Sequence, residues 1–235
     1  MLEAHVAMVK TSKYASSESG DTVEMVERAR GGFSLILSDG QGSGKSAKST
    51  SALVVNKAVA LLAEGARDGA VARAVHDFLY TAKHGRVSAT LTIISVDLQT
   101  QTMLISRNSH TPVFVLNNRE DRIFTQPISP IGVHRLMKPE ITELALEEGT
   151  IVVTFSDGIL DAGKRKGQQM SYADMLQVIE GFAPTEVQHL AESLLNHALR
   201  LDDNRPTDDV TVVAVAIGEL QSEPKIRKMQ VTFPF

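Results

Sequence analysis

Four short acidic motifs hold the side chains of this sequence that are best suited to chemistry. They read Ser19-Gly20-Asp21, Ser38-Asp39-Gly40, Ser156-Asp157-Gly158 and Thr207-Asp208-Asp209-Val210. An Asp-Gly pair alone is typical of a turn. Three of these motifs, however, lie at the ends of predicted strands, and the recurrence of one pattern at separated places favours a shared site.

Aspartates that meet at one edge of a sheet repel each other unless cations neutralise them. Oxygen-only ligands favour Mg²⁺ or Mn²⁺ over zinc. Two such ions roughly 3.5 to 4 Å apart can bind a phosphoryl group and lower the pKa of a bridging water. A glycine beside Asp39 lets the backbone approach closely, so the Gly40 carbonyl is a further candidate ligand. The motifs therefore predict metal-dependent phosphoryl hydrolysis, with Asp39 and Asp157 as catalytic residues.

Composition narrows the choice of partners and compartment. The 235 residues are 43% hydrophobic, which predicts one compact domain. With 24 basic and 28 acidic side chains and a net charge of -4, the chain is expected to bind neither nucleic acid nor an anionic membrane surface. Because cysteine is absent, a thiolate phosphatase and a zinc-thiolate site are excluded. The opening residues lack a signal-peptide pattern, and we expect a cytoplasmic protein.

Strand and helix patterns alternate in blocks along the chain. Strands are predicted over 33–38, 88–97, 103–106, 113–117, 151–155 and 210–217, and helices over 46–63, 70–80, 172–181 and 185–201. This order argues against a parallel βαβ sheet and predicts an α+β fold with helices packed outside antiparallel sheets. The apolar segment 231–235 is expected to pack on the domain or on a neighbouring subunit.

The motifs together resemble the PPM family of metal-dependent serine/threonine phosphatases (protein phosphatase 2C-like), in the bacterial branch typified by stage II sporulation protein E. The matching segments are SGD at 19–21, SDGQGSG at 38–44, SATLTIISVD at 88–97, PIG at 130–132, FSDGILDA at 155–162 and DDVTVV at 208–213. The resemblance assigns residues 1–218 to one phosphatase domain. It leaves 219–235 as a C-terminal tail of unknown role.

The resemblance implies a sandwich of two antiparallel β-sheets flanked by α-helices, in α-β-β-α layers, with two Mn²⁺ or Mg²⁺ ions at one end. The ligands that it implies are four aspartates and one carbonyl, from Asp21, Asp39, Asp157, Asp208 and Gly40. Asp209 is the less favoured ligand of its pair, because the family accepts asparagine there. The substrates typical of this branch are phosphoserines on small anti-sigma-factor antagonists, which implies a signalling role.

Two departures from the family pattern leave roles open. Eukaryotic relatives carry a histidine soon after the equivalent Asp-Gly, where this sequence reads Gln41-Gly42-Ser43. The acid that protonates the leaving group is therefore unassigned. The usual Asn-Ala-Gly-His element is shortened to Asn108-Ser109-His110, and we interpret His110 as making a structural hydrogen bond near the site.

Two alternatives compete with the phosphatase hypothesis. The segment GQGSGKS resembles a nucleotide-binding loop, but its spacing would place Asp39 where the first glycine of that motif belongs. A PPM-like domain can also bind a phosphoprotein without turning it over, since fold and function separate. Arg28 and Arg30 lie between the first two acidic motifs and are expected to form surface ion pairs.

Overall fold

The computed structural model describes residues 1–221 and 226–232, and within them the chain forms ten strands and five α-helices. The strands are β1 (Leu2–Thr11), β2 (Asp21–Glu27), β3 (Gly32–Asp39), β4 (Leu91–Asp97), β5 (Thr102–Asn108), β6 (Val113–Leu116), β7 (Arg122–Phe124), β8 (Glu140–Ala145), β9 (Ile151–Phe155) and β10 (Val210–Glu219). The helices are α1 (Gly44–Ala63), α2 (Asp68–Ala82), α3 (Gly158–Asp161), α4 (Tyr172–Glu180) and α5 (Val187–Leu201).

The strands pair into two five-stranded sheets, in which every pairing is antiparallel. The first sheet has the order β1-β10-β9-β6-β7 and the second the order β2-β3-β4-β5-β8. Helices α4 and α5 pack on the first sheet, and α1 and α2 pack on the second. The predicted α+β sandwich with outer helices is confirmed.

Strand β10 shows why the sandwich has three apolar layers. Its residues Val212, Ala214 and Ala216 contribute to the core beneath α5, whereas Val213, Val215 and Ile217 belong to the core between the sheets. Because successive side chains of a strand point to opposite faces, a strand covered on both sides is apolar throughout. The uninterrupted apolar run from 212 to 217 is the sequence signature of this central position.

Helix α1 ends as its sequence predicts. The Gly65 amide bonds to the Leu62 carbonyl, the Ala66 amide bonds to the Leu61 carbonyl, and Gly65 has a φ of 88°. This Schellman pattern satisfies the last carbonyls of the helix and needs a residue that tolerates the left-handed region.

Four strands were not predicted from the sequence: β1, β2, β7 and β8. Strands β1, β2 and β8 are sheet edges with alternating or partly exposed side chains, so their apolar signal is weak. The strand predicted over 88–97 begins later, at Leu91, and Ala89 forms isolated bridges to Gly40 and Ile131. The helix predicted over 185–201 begins with a 3₁₀ turn, Pro184–Glu186, before α5.

Arg28 does not form the expected surface ion pair. Its guanidinium lies 3.1 Å from the Asp68 carboxylate, and the two side chains are only 9% and 2% exposed. The same guanidinium nitrogen donates to Ser34 and Ser95 at 3.0 Å each. The prediction was wrong because the partner, at the start of α2, is 40 residues away in the sequence.

The C-terminal segment contacts the domain at two described points. The Leu220 amide donates to the Met1 carbonyl beyond the end of β10, and the Arg227 guanidinium lies 3.1 Å from Glu27. In the segment predicted to pack, Val231 is 77% exposed and Thr232 is exposed as well, and residues 233–235 lie outside the described residues. In the described part of the chain, no helix has the length and apolarity needed to cross a membrane.

Candidate metal centre

The second sheet places two of the predicted ligands opposite each other. Asp21 is the first residue of β2 and Asp39 the last of β3, and the strand register pairs them directly. Directly opposed residues of an antiparallel pair have Cβ atoms roughly 4.5 to 5.5 Å apart on the same face. Gly40 follows Asp39 and is held by its bridge to Ala89.

The first sheet supplies the other two predicted aspartates from neighbouring strands. Asp157 follows the end of β9 and Asp208 precedes the start of β10, and these strands are antiparallel partners. The connection is fixed by Ser156, whose amide donates to the Thr211 carbonyl at 3.0 Å and whose Oγ accepts from the Thr211 amide at 2.9 Å. Asp157 and Asp208 therefore lie at the same edge of the sheet.

A buried hydrogen bond joins the acidic edges of the two sheets. Thr211 Oγ1, on β10, donates to Asp21 Oδ2, on β2, at 2.6 Å. Both residues are buried. The four predicted aspartates thus meet at one end of the sandwich.

The carboxylates at this end raise one another's pKa values. Burial, together with repulsion from Asp21, Asp157 and Asp208, raises the pKa of Asp39 to about 8. Burial also raises the pKa of Asp21 to about 7, although Thr211 and Ser156 hydrogen bonds oppose the shift. The pKa of Asp208 is raised by burial and by the neighbouring Asp157. Without a cation, these acids therefore hold protons at a pH where exposed aspartates are ionised.

The glycines of both Asp-Gly motifs are required by close packing. A methyl group on Gly40 would lie 2.2 Å from the Ala47 carbonyl of α1, and one on Gly158 would lie 2.2 Å from the Asp209 carbonyl. Neither glycine has a positive φ. The missing side chains therefore let α1 approach the backbone beside Asp39, and the loop that precedes β10 approach the backbone beside Asp157. Close packing, not turn formation, explains glycine at these two positions.

Asp209 uses both carboxylate oxygens on backbone amides. Oδ1 accepts from the Lys13 amide at 2.9 Å and Oδ2 accepts from the Gly20 amide at 2.7 Å. These bonds tie the loop that precedes Asp21 to the start of β10. In the structure Asp209 thus has a positioning role.

Asp202, at the end of α5, is a second clamp of this kind, and the sequence analysis missed it. Oδ1 accepts from the Gly163 amide at 2.9 Å and Oδ2 from the Thr207 amide at 3.1 Å. One carboxylate thereby joins the turn after α3 to the loop that precedes Asp208. The sequence LDDN carries no signal for this contact, because its partners become neighbours only in the fold.

Two lysines lie against the backbone of Asp21. Lys48 Nζ donates to the Asp21 carbonyl at 3.2 Å and to Thr22 Oγ1 at 2.9 Å, while Lys10 Nζ lies 3.3 Å from the same carbonyl. Burial, followed by the positive charge of Lys10, lowers the pKa of Lys48. These lysines, which no motif in the sequence marks, anchor β1 and α1 to the start of β2.

His110 lies beside Asp157 at the rim of the centre. Its Nε2 is 3.5 Å from Asp157 Oδ2, and its side chain is 52% exposed. The hydrogen bond with Asp157 raises the pKa of His110. His110, Asp39 and Asp157 line one narrow cleft together with Thr90 and Ser156. The structure therefore places His110 where the predicted hydrogen bond near the site requires it.

The donor set at this end fits a hard divalent cation. The residues that approach it offer carboxylate and carbonyl oxygens, and their raised pKa values show negative charge that the protein leaves uncompensated. Within residues 1–221 and 226–232, no three acidic or histidine side chains are already gathered in a metal-binding arrangement. Asp21 and Asp157 instead contact Thr211 and His110.

The fold is that of PP2C phosphatase domains. A solved structure of the PP2C phosphatase domain and a fragment of the regulatory domain of SpoIIE from Bacillus subtilis matches with a TM-score of 0.80 at 22% identity, over 91% of this chain and 63% of that one. The catalytic domain of the serine/threonine protein phosphatase PstP in complex with 2 manganese ions matches with a TM-score of 0.71 at 19% identity, over 93% and 100%.

The family follows from the sequence comparison. The model of the family "Stage II sporulation protein E (SpoIIE)" matches residues 29–218, so the chain belongs to that family. Stage II sporulation protein E of Bacillus subtilis (strain 168) is 25% identical over 228 residues, which cover 91% of this chain and 27% of that protein. The chain therefore spans about a quarter of that relative's length. The resemblance stated from the motifs is confirmed.

Proposed function

We propose that this chain is a protein serine/threonine phosphatase that uses two divalent cations, Mn²⁺ or Mg²⁺. The residues that would hold them are the predicted set: Asp21, Asp39, Asp157, Asp208 and the Gly40 carbonyl. The observation that carries the proposal is that four carboxylates, two from each sheet, lie at one end of the sandwich, where burial and repulsion raise the pKa values of Asp21, Asp39 and Asp208. Divalent cations stabilise such a cluster, and oxygen ligands select Mn²⁺ or Mg²⁺.

The chain's own residues divide the work of hydrolysis between the two sheets. When bound, the ions would lower the pKa of a water so that its hydroxide form can attack a phosphate ester, and they would supply positive charge to the phosphoryl oxygens. Asp39 and Asp157, which line the cleft from different sheets, would orient that water. Asp209 and Asp202 hold the loops that carry Asp21 and Asp208 through backbone amides.

The substrate that suits this site is a phosphoserine or phosphothreonine on another protein. The side chains of His110 and Asp157 are 52% and 29% exposed at this end of the sandwich, so a phosphorylated side chain presented by a folded partner can approach the proposed metal ligands. Within that class we propose an anti-sigma-factor antagonist, the substrate type of the branch that the motifs resemble. The absence of cysteine suits action in the cytoplasm.

Steady-state hydrolysis of p-nitrophenyl phosphate tests the chemical part of the proposal. We expect turnover with Mn²⁺ and its loss with EDTA, because the acids alone provide no electrophile. Asp39→Asn should abolish turnover, and the matched control is Asp77→Asn, an exposed aspartate on α2. Full activity of Asp39→Asn would refute the assignment.

A second assay tests the protein substrate. A serine-phosphorylated anti-sigma-factor antagonist, incubated with the chain and Mn²⁺, should release inorganic phosphate. Binding of this phosphoprotein without release, combined with no turnover of p-nitrophenyl phosphate, would instead favour a non-catalytic binding domain.

A further inference from the structure

The turn between α3 and α4 carries the one run of three consecutive basic residues in the sequence, Lys164-Arg165-Lys166. All three side chains are exposed. The run forms a 3₁₀ turn between Gly163 and Gly167, whose φ values of 76° and 67° lie in the left-handed region. The backbone thus presents three cations on one short turn of a chain whose net charge is -4.

This basic turn is fixed beside the candidate metal centre. Helix α3 begins directly after Asp157, and Lys164 Nζ lies 2.9 Å from the Asp161 carboxylate of that helix. The hydrogen bond with Asp161 raises the pKa of Lys164, and the Asp157 carboxylate adds to the shift. Farther along, Gln169 Nε2 donates to the Leu160 carbonyl at 2.7 Å. The turn is therefore close to the cleft and tied to the helix that follows Asp157.

A surface groove of about 500 Å³ adjoins the basic turn, between residues 168–170, α4 and α5. Its walls include the side-chain amides of Gln168, Gln169 and Gln177, and its apolar lining comes from Met170 and Val178. Asp174 and His197 complete the lining, and the Asp174 carboxylate accepts from the Ser171 amide and hydroxyl, so the acidic residues of an occupant must lie at the basic turn and not in the groove. Amide side chains both donate and accept hydrogen bonds, as an extended peptide backbone does. The groove therefore suits a peptide segment, and it lies outside the cleft that holds Asp39 and Asp157.

The cations of the turn are available to an acidic partner. Lys164 and Lys166 pair with Asp161 and Asp203, but these ion pairs are at the surface, with the Asp203 side chain 75% exposed. Exposed pairs of this kind contribute little, so an acidic ligand can replace one partner at low cost. Among the described residues, Arg165 forms no ion pair. Charge complementarity thus selects an acidic segment as the occupant.

Resting on the proposed phosphatase function, we propose that the turn Lys164–Lys166 and the adjoining groove form a docking surface for an acidic, extended segment of the phosphoprotein substrate. The phosphorylated side chain occupies the cleft while the acidic residues near it contact the turn. The site then discriminates among phosphoproteins by the charge that flanks the phosphoserine, which the metal centre alone cannot do.

Two synthetic phosphoserine peptides of equal length test the proposal, one with several Asp and Glu residues flanking the phosphoserine and one with Ala and Ser in their place. For the unaltered chain we expect kcat/KM to be about tenfold higher for the acidic peptide at low ionic strength. Raising the salt from about 0.05 M to about 0.3 M should reduce this ratio, because exposed charges are screened. The ratio of the two kcat/KM values cancels any general change in the metal centre.

The decisive variant replaces Lys164, Arg165 and Lys166 with serine, and it should bring the ratio close to one. Its matched control is Arg119→Ser in the β6–β7 hairpin, at the end of β6 that is remote from His110. A wild-type ratio near one, an unchanged ratio in the triple variant, or an equal loss in the control would overturn the proposal.

The failure of the docking surface is distinguishable from the failure of the catalytic assignment. If p-nitrophenyl phosphate is not hydrolysed, fluorescence anisotropy with both labelled peptides reports docking without turnover. Preferential binding of the acidic peptide that the triple variant loses supports the surface in that case. Equal binding of both peptides contradicts it.

Discussion

Asp21 and Asp39 are direct cross-strand partners, at the first residue of β2 and the last of β3. Like charges directly opposite each other destabilise an antiparallel pair. Here Asp21 is buried and Asp39 partly buried, and Asp157 and Asp208 lie close enough to raise the pKa of Asp39 further. Ionisation of these aspartates therefore destabilises the edge of the sheet, and a bound cation would offset the repulsion.

The stability of the metal-free chain should fall as pH rises from about 4 to about 8. The folded-state pKa values of Asp21 and Asp39, about 7 and about 8, are raised above the ordinary value of 3.8. Between these values the folded state binds more protons than the unfolded state, so raising the pH favours unfolding. Below pH 3.8 both states are protonated and this contribution is constant.

Calorimetric melting in EDTA across this pH range measures the effect. Saturating Mn²⁺ should raise the melting temperature most at the upper end, where the carboxylates are ionised and bind the cation without losing a proton. Asp39→Asn should show a shallower pH dependence than the unaltered chain. A metal-free melting temperature that rises steadily from pH 4 to pH 8 would contradict the electrostatic account.

Asp208→Asn and Asp209→Asn should differ although the residues are adjacent. Asp208 is a proposed ligand, so its substitution should abolish Mn²⁺-dependent turnover with little change in stability. Asp209 holds the Lys13 and Gly20 amides, and an asparagine can accept only one of those bonds, at a cost of about 1 to 3 kcal/mol in the free energy of unfolding.

Urea denaturation and turnover of p-nitrophenyl phosphate separate these two effects. For Asp209→Asn we expect reduced stability and partial turnover that recovers as Mn²⁺ is raised. A fully inactive but fully stable Asp209→Asn variant would show that Asp209 is itself a ligand.

Asp202→Asn should weaken Mn²⁺ binding without touching a proposed ligand. The substitution removes one acceptor of the clamp between Gly163 and Thr207, so the loop that carries Asp208 is held less firmly. We expect the Mn²⁺ concentration for half-maximal turnover to rise about tenfold, the lower end of the range typical of residues that orient metal ligands. Asp203→Asn is the matched control, because asparagine tolerates the positive φ of 53° at that position. Equal Mn²⁺ dependence in both variants would argue against the clamp.

Asp68→Ala should be strongly destabilising. The change leaves the Arg28 guanidinium buried without its ion partner, and breaking a buried pair costs about 3 to 5 kcal/mol. Arg30→Ala, an exposed arginine two residues from Arg28, should change stability by less than about 0.5 kcal/mol. Chemical denaturation measures both, and a change below 1 kcal/mol for Asp68→Ala would contradict the buried pair, on the scale given for such pairs.

The sequence predicts the buried strands and the long helices well, because their patterns are local. Strands β3, β9 and β10 are continuous apolar runs beside turn residues, and α1 is closed by Gly65. Edge strands such as β8, with its polar sequence EITELA, lack this signal. Strand β8 is defined by its pairing with β5, which the sequence pattern does not reveal.

The candidate site divides in the same way. The recurring motifs and the family resemblance predicted Asp21, Asp39, Asp157 and Asp208 as ligands, because each of these aspartates lies within a recognisable short motif. The clamps made by Asp209 and Asp202, the lysines at Asp21 and the buried partner of Arg28 depend on contacts between distant segments. Such contacts leave no periodicity or motif, so the structure is needed to find them.

The central claim is that aspartates from both sheets share two cations. An anomalous-scattering map from crystals of this chain grown with Mn²⁺ tests it most directly. The account predicts two peaks about 3.5 to 4 Å apart, within bonding distance of Asp21, Asp39, Asp157, Asp208 or the Gly40 carbonyl. Peaks located only elsewhere, or none at saturating Mn²⁺, would contradict it.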